Sequence, residues 1–497
     1  MRISVLADLG VEKEGRSGMI GGMNREKSWD EMRNREEPFD ICIVGGGATG
    51  MGVALDAAER GYSVCLVEQS DFGKGTSSRS TKLVHGGVRY LKQGNVSLVR
   101  DALRERGRLM KNAPHLVRQM GFVIPAYHWT ERPFYGIGLK VYDALAGKLG
   151  MGASRWLGRE ETLERLPTVK REGLRGGVSY FDGQFDDARL VMDLAWTATG
   201  RGACLVNYAK GVGLLEEGGR VVGLQVRDEE SGEGLEVKAK VVVNATGIFV
   251  DKLRKGEPEM MTVSQGAHVV LPREFLPGES ALMVPKTSDG RVLFAVPWKD
   301  VVLVGTTDTP REKKVLEPVP LEEELEFILS HTEKYLGRRP KGEEIRSVYA
   351  GLRPLVKPPK SVGKTSAISR DHTIVRSGNG LVTITGGKWT TYRKMAEELV
   401  DKVEEFEGWE RRECGTQELR IETSGAESVE DFVRNEMARS VEDVLARRTR
   451  RLVENAREAV KEADEVGRKM GAELKKGPEW VEGQVGEFEK VAKGWMG

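Results

Sequence analysis

Residues 39–69 read FDICIVGGGATGMGVALDAAERGYSVCLVEQ, and no other stretch constrains the fold so tightly. An apolar run of strand length enters Gly45, Gly47 and Gly50 at GxGxxG spacing. Met51, Ala54, Leu55 and Ala58 then recur at helical spacing, and a second apolar run ends at Glu68. Gly45 permits a tight turn, Gly47 lets a diphosphate approach the backbone, and Gly50 lets the helix lie against the strand. A helix starting near Ala48 and Thr49 turns its free amides and positive dipole end toward the phosphates. Glu68 can accept hydrogen bonds from both ribose hydroxyls and would repel a 2′-phosphate, which favours FAD or NAD over NADP.

The 497 residues suffice for two or three folded units, and 39% of them are hydrophobic. Lys plus Arg number 77 against 76 Asp plus Glu, so no global field draws nucleic acid or an anionic membrane, and any anionic ligand must be caught locally. Cys42, Cys65, Cys204 and Cys414 lack CxxC or paired spacing, and three sit in apolar runs. They read as buried reduced thiols, with no metal site. No apolar run reaches the roughly 20 residues that span a bilayer. Residues 1–37 lack the apolar stretch of a secretory signal. The expectation is a soluble or at most peripherally attached protein, cytoplasmic by default.

The expected fold class is mixed α/β. Residues 1–37, charged and without a sustained period, read as a poorly ordered extension. Residues 38–398 form the main body, with a Rossmann-like dinucleotide-binding domain. Within it, Leu235, Val237 and Ala239 alternate with Glu236, Lys238 and Lys240 after a glycine-containing turn, as in a hairpin feeding a buried strand. From Val263 to Asp308 several strands follow one another without helices, so an antiparallel substrate-facing subdomain is expected over about residues 255–350. Charged helical stretches, free of glycine from Ala426 to Val466, predict a separate helical C-terminal domain over 415–497.

After Glu68 comes GTSSRSTKLVHGGVRYL, residues 75–91, rich in small hydroxyl side chains and glycines. Here the sequence resembles the FAD-dependent glycerol-3-phosphate dehydrogenases, within the D-amino-acid-oxidase-like flavoprotein superfamily. The resemblance continues through YFDGQFDDARLV (180–191), VVNATG (242–247), SQGAHVVLP (264–272), VGTTDTP (304–310), AGLRPL (350–355), ISRDHTI (368–374), GGKWTTYRKMAE (386–397) and EMARSVEDVLARRTR (436–450). It departs at the charged extension before residue 38 and in a short connection between the helix around Lys394 and the block at Glu436.

The resemblance implies FAD, with Gly45, Gly47, Gly50 and Glu68 on its ADP half. Thr76, Ser77, Ser78, Lys82, Leu83, His85, Gly86 and Gly87 would lie along the diphosphate and flavin ring. Gly247 would lie near the diphosphate, and Gly386 and Gly387 near the pyrimidine end. The last assignment has independent support, because a glycine turn followed by a helix can aim a positive helix terminus at flavin N1 and O2.

It further implies sn-glycerol 3-phosphate as substrate, oxidised to dihydroxyacetone phosphate by hydride transfer to flavin N5. Such a substrate needs cations for its phosphate and a base for its hydroxyl proton. Arg353 and Arg89, then Arg370, are the expected phosphate ligands, since arginine can donate two parallel hydrogen bonds. His268 is the expected base. Lys388 is assigned to stabilising developing charge, and Tyr90 and Thr307 to orienting the substrate. No second dinucleotide motif offers a nicotinamide domain, and the resemblance implies a membrane quinone as acceptor, with oxygen the alternative. The basic run at 447–451 is a candidate membrane-facing helix, against the blander reading of a solvated face. A homodimer is compatible with this picture. The alternatives are a related flavin oxidase that uses oxygen, and a non-catalytic FAD-binding protein.

Overall fold

The computed structural model describes residues 22–87, 95–357 and 372–497. The glycine motif folds as its pattern dictates. Strand Phe39–Val44 runs into helix Ala48–Glu59, and strand Val64–Val67 pairs with the first in parallel. Met51, Ala54, Leu55 and Ala58 are all buried. Cys204–Val206, Gly234–Asn244 and Val382–Gly386 complete a parallel core, and His372–Arg376 pairs antiparallel at its edge. Cys42, Cys65 and Cys204 stand side by side in this sheet as buried free thiols.

The expected hairpin is present. Arg220–Asp228 pairs antiparallel with the first half of Gly234–Asn244, whose second half joins the parallel sheet. Val237 and Ala239 are buried, while Glu236, Lys238 and Lys240 face water.

The antiparallel expectation also holds. Met261–Pro272, Ala281–Val284, Leu293–Trp298 and Val301–Gly305 form one sheet with Ser347–Val356. It reaches back beyond residue 255, however, because Arg118–Ala126 pairs in parallel with Ala281–Val284 and brings Gly176–Gln184 along. This pairing links segments more than 150 residues apart, which local periodicity cannot reveal.

Three expectations need correction. Within the supposed extension, Arg25–Asn34 is a helix with Trp29 and Met32 buried. Only these two residues, three apart, form its apolar face. Its first turn is held instead by Arg25, which donates to the Asn207 carbonyl and to Asp228, each at 2.9 Å. The second correction concerns the C-terminal segment. It is helical, with Val429–Glu436, Ala456–Leu474 and Pro478–Lys493, but it is not separate. Its apolar faces share a core with Val270, Trp298, Leu303 and Tyr349 of the antiparallel sheet.

Most of the basic run is neither solvated nor membrane-facing: Arg447, Arg448 and Arg450 are buried, and of its arginines only Arg451 is partly exposed, paired with Glu462. Arg447 and Arg448 end a π-helical turn, Asp443–Arg448, that packs against the dinucleotide unit, and Arg450 follows it. Arg447 donates to Asp71 at 2.5 Å, and to Glu442 and Asp443 at 2.7 Å. Arg448 also grips Asp71, through both carboxylate oxygens. Arg450 donates to Asp187 at 2.8 Å. Among the described residues no helix is long and apolar enough to cross a membrane.

Burial alone would raise the Asp71 carboxyl, but the guanidiniums of Arg448 and Arg447 outweigh it and hold Asp71 below the usual carboxylate range. A carboxyl depressed in the folded state stabilises above its unfolded value of about 3.9 and loses that contribution as pH falls through its folded value. Asp71→Asn is therefore expected to cost about 3 kcal/mol at pH 7, because buried guanidinium charge loses its partner. Urea titrations of both proteins measure the difference, which should shrink as the pH drops below about 4.

Candidate active site

Two cavities meet in the crevice where the two sheets face each other. The first is a cleft of about 500 Å³ along the C-terminal ends of the parallel strands, lined by Gly45, Gly47, Ala48, Thr49, Glu68, Thr76, Ser77, Gly247, Gly386 and Gly387. Open α/β sheets bind their ligands at this edge. The second, about 270 Å³, lies over the antiparallel sheet. Thr76, Leu83, His85, Gly87, His268, Thr307, Arg353 and Lys388 are among its walls. Thr76, Gly387 and Lys388 border both, so a ligand filling the cleft would present one end to the smaller cavity.

The cleft is shaped for a dinucleotide. Gly45 sits at φ +113°, where a Cβ would come within 2.6 Å of the Ala245 carbonyl. A Cβ on Gly50 would collide with the Gly45 carbonyl, so this glycine acts by close packing beneath the turn and does not line the cleft. Gly247, at φ +58°, borders the cleft, and its Cβ would meet no atom within 4 Å. The helix N-terminus at Gly47 has no side-chain cap, and the Ala48 amide donates to Ser77 Oγ at 2.9 Å. Glu68 is tethered by the Gly46 amide at 2.8 Å and the Ser70 amide at 3.0 Å. Burial, the largest influence on it, raises its carboxyl above the usual range, so neighbouring donors such as ribose hydroxyls would favour the anion.

Sequence reasoning missed part of this cleft. Lys210, Gly211 and Val212 line it from strand Ala209–Glu217, Arg227 from strand Arg220–Asp228 paired with it, Phe249 and Trp389 from short 3₁₀ turns and Leu316 from a loop. The Gly211 position carries a signal, because a glycine inside a strand marks close backbone approach. Helix Tyr392–Glu407 begins one step later than expected, with the short 3₁₀ turn Trp389–Thr391 between it and Gly387.

Three expected cofactor residues turn away from both cavities. Lys82, fully buried at φ +61°, donates to Asp187 and to the Ser78 carbonyl, each at 2.7 Å. Ser78 contributes that carbonyl from below. The Gly86 amide donates to the Tyr142 hydroxyl at 2.8 Å, and a Cβ there would strike Leu103 and Tyr142. All three brace the loop from behind. A polar side chain in a motif can serve either side of the backbone, and sequence alone does not say which.

On the smaller cavity, His268 lies in strand Met261–Pro272 opposite Gly305 and Tyr349. Its Nε2 is 2.8 Å from Thr81 Oγ1, and its ring stacks on Tyr349 at 4.6 Å. Trp495 stacks on the far side of Tyr349 at 5.6 Å. Burial, with Lys82 and Arg353 adding positive potential, pushes His268 well below the ordinary imidazole range, so the ring is neutral at physiological pH. Arg353 reaches Thr306 Oγ1 at 2.9 Å and Asp308 at 3.4 Å. The Thr307 hydroxyl proton goes to Glu324 at 2.7 Å while its oxygen accepts from the Ala267 amide, so Thr307 fixes the strand corner. Thr306, which sequence reasoning did not select, faces the cavity beside Arg353. Arg89, Tyr90 and Arg370 lie outside the described residues.

A glycine-lined dinucleotide cleft opening onto a buried histidine and an arginine defines a dinucleotide-dependent redox enzyme. The comparisons narrow the class. Residues 40–393 match the model of the FAD dependent oxidoreductase family, and residues 388–480 match the C-terminal domain of alpha-glycerophosphate oxidase. The first match covers more than half of the chain, which therefore belongs to the FAD-dependent oxidoreductases, with FAD as cofactor.

The mitochondrial glycerol-3-phosphate dehydrogenase SDP6 of Arabidopsis thaliana is 44% identical over 403 residues, 78% of this chain and 64% of that protein. The human mitochondrial glycerol-3-phosphate dehydrogenase is 42% identical over 400 residues, 76% of this chain and 54% of that protein. The chain thus spans little more than half to under two-thirds of the length of these relatives. The crystal structure of the glycerol-3-phosphate dehydrogenase from Bacillus halodurans complexed with FAD superposes with a TM-score of 0.79 at 28% identity, covering 96% of this chain and 99% of that one.

Gly47 gives a direct test of the cleft. Its backbone is extended, so a side chain is not strained there, but a Cβ would lie 3.0 Å from Ser77 Oγ where the diphosphate would pass. Gly47→Val is expected to lower bound FAD per protein at least ~10-fold, a loss of about 1.4 kcal/mol or more in binding. The visible flavin absorbance checks this, while an unchanged far-ultraviolet circular dichroism spectrum shows that the fold survives.

Proposed function

We propose that the protein oxidises sn-glycerol 3-phosphate to dihydroxyacetone phosphate and passes the electrons to a membrane quinone. The observation that carries this reading is the meeting of His268 and Arg353 on one small cavity, at the point where Gly387 and Lys388 close the dinucleotide cleft. The names of the curated relatives and of the Bacillus halodurans structure support the substrate.

FAD, when bound, supplies the hydride acceptor. The chain's own residues do the rest. Arg353 takes the substrate phosphate, with its guanidinium held flat by Thr306 and Asp308 for two parallel hydrogen bonds. Arg89 and Arg370 belong to the same proposal as further phosphate ligands, and Tyr90 as an orienting group. Thr306 is better placed than Thr307 to orient the substrate, since its proton is held only by a 3.3 Å contact to the Thr307 carbonyl, while the Thr307 proton is committed to Glu324 at 2.7 Å. Lys388, at the junction, places positive charge beside the oxygen that loses its proton. His268, neutral and enclosed, takes that proton. A phosphate dianion beside Arg353 offsets part of the cationic field on His268 and strengthens it as a base.

A quinone acceptor places the protein at a membrane surface, peripherally and on the cytoplasmic side, with no part for the buried Arg447, Arg448 and Arg450. One observation favours a second reading, an oxidase that uses oxygen: the match of residues 388–480 to a domain described from alpha-glycerophosphate oxidase. Hydrogen peroxide formation without an added acceptor separates the two.

The holoenzyme mixed anaerobically with sn-glycerol 3-phosphate should lose its visible flavin band, and a band that stays unchanged overturns the substrate assignment. His268→Asn should slow bleaching by about 100-fold or more, the usual contribution of a general base, while FAD content is retained. Arg353→Ala should raise the substrate concentration for half-maximal bleaching on the order of 100-fold, matching the loss of about 3 kcal/mol from a charge-assisted phosphate contact.

A further inference from the structure

We propose that Thr81 is the relay through which the substrate proton reaches His268; the inference rests on the function proposed above. The His268 ring is closed on nearly every side. Tyr349 covers one face. The Cδ2 edge lies against Gly305, where even an added Cβ would collide with it. Nδ1 is buried and has no hydrogen-bond partner, so it is out of reach of anything in the cavity. What remains is Nε2, and it is aimed at the Thr81 hydroxyl at 2.8 Å. Thr81 itself lines the cavity. A proton that enters the ring at Nε2 along this hydrogen bond therefore comes from Thr81 Oγ1.

The step balances simply. With the neutral ring carrying its own proton on Nδ1 and accepting from Thr81 at Nε2, the substrate hydroxyl gives its proton to Thr81 Oγ1 as hydride leaves the substrate carbon for the flavin, and the proton already on that oxygen moves to His268 Nε2. Threonine ends as it began, and the ring becomes an imidazolium stacked on Tyr349.

The hydroxyl can serve this purpose because its backbone cannot wander. Both residues beside Thr81 are anchored. The Ser80 amide and hydroxyl donate to Asp187 Oδ2 at 3.0 and 2.7 Å, and the Ser80 carbonyl accepts from the Tyr349 hydroxyl at 2.9 Å. Lys82 is pinned to the same Asp187 oxygen at 2.7 Å, and its amide donates to Ser80 Oγ. A relay must hold donor and acceptor at hydrogen-bond distance, which preorganised neighbours provide.

The test compares Thr81→Val, which keeps the branched shape without the hydroxyl, with Thr81→Ser, which keeps the hydroxyl. Anaerobic stopped-flow bleaching by sn-glycerol 3-phosphate is followed in water and in deuterium oxide, with FAD content and melting temperature as checks on folding. Thr81→Val should bleach at least ~10-fold more slowly, with half-saturation and FAD content unchanged, and Thr81→Ser should stay within about 3-fold of the parent. The parent's solvent isotope effect should persist in the serine variant and change in the valine variant. Bleaching of the valine variant at the parent rate, or equal losses in both variants, would overturn the relay. A parent flavin that the substrate does not bleach would instead overturn the function on which the relay rests.

Discussion

The Asp187 carboxylate is the point where three distant stretches of chain are tied together. It stands at the start of helix Asp187–Gly200 and accepts from Ser80 and Lys82 of the hydroxyl-rich loop and from Arg450 of the C-terminal segment. It has no solvent to lean on, since Asp187 and Lys82 are both fully buried. Burial would raise its carboxyl, yet Lys82 and Arg450 together hold it below the usual range, so it persists as an anion with every oxygen engaged. A buried charge is tolerated only when its partners are this complete. The arrangement gives the site a fixed floor: the loop above Asp187 carries Thr76 and Ser77 into the cleft and Thr81 into the cavity.

The two cavities divide the work between two kinds of backbone. The parallel sheet contributes loops and helix ends, with amides and glycines where side chains would obstruct. The antiparallel sheet contributes side chains, His268 and Arg353, from one face of two paired strands, where Ser264 is opposite Arg353 and His268 opposite Tyr349. Strand pairing fixes the spacing of such residues more rigidly than a loop could, and a shift by one residue would turn them to the other face.

Much of this was legible in the sequence because it is written in short-range patterns. The glycine motif, the alternation in 235–240 and the strand series after Val263 are each read from the order of near neighbours in sequence, where period and turn chemistry act directly. The rest depends on partners far along the chain. The run at 447–451 looks like a surface because its charge is visible while Asp71, Asp186 and Asp187 are hundreds of residues away. Helix Arg25–Asn34 hides for the same reason, since Arg25 is compensated by Asp228. Lys82 and Ser78 were recognised as part of the loop, but which side of it they serve is set by Asp187 beneath. Thr306 and Thr307 are adjacent in sequence and differ only in which way the strand end turns them.

The long reach of these ion pairs also bears on how the protein comes into being. Asp71 and Arg447 are separated by 376 residues. At about 5–20 residues per second, a ribosome that has made Asp71 needs roughly 20 to 75 s before it delivers the arginine. Through that interval Asp71 lacks both of its guanidinium partners, and Asp187 has Lys82 and Ser80 but not yet Arg450. The charge balance beneath the site is thus completed last, by a segment that lines neither cavity.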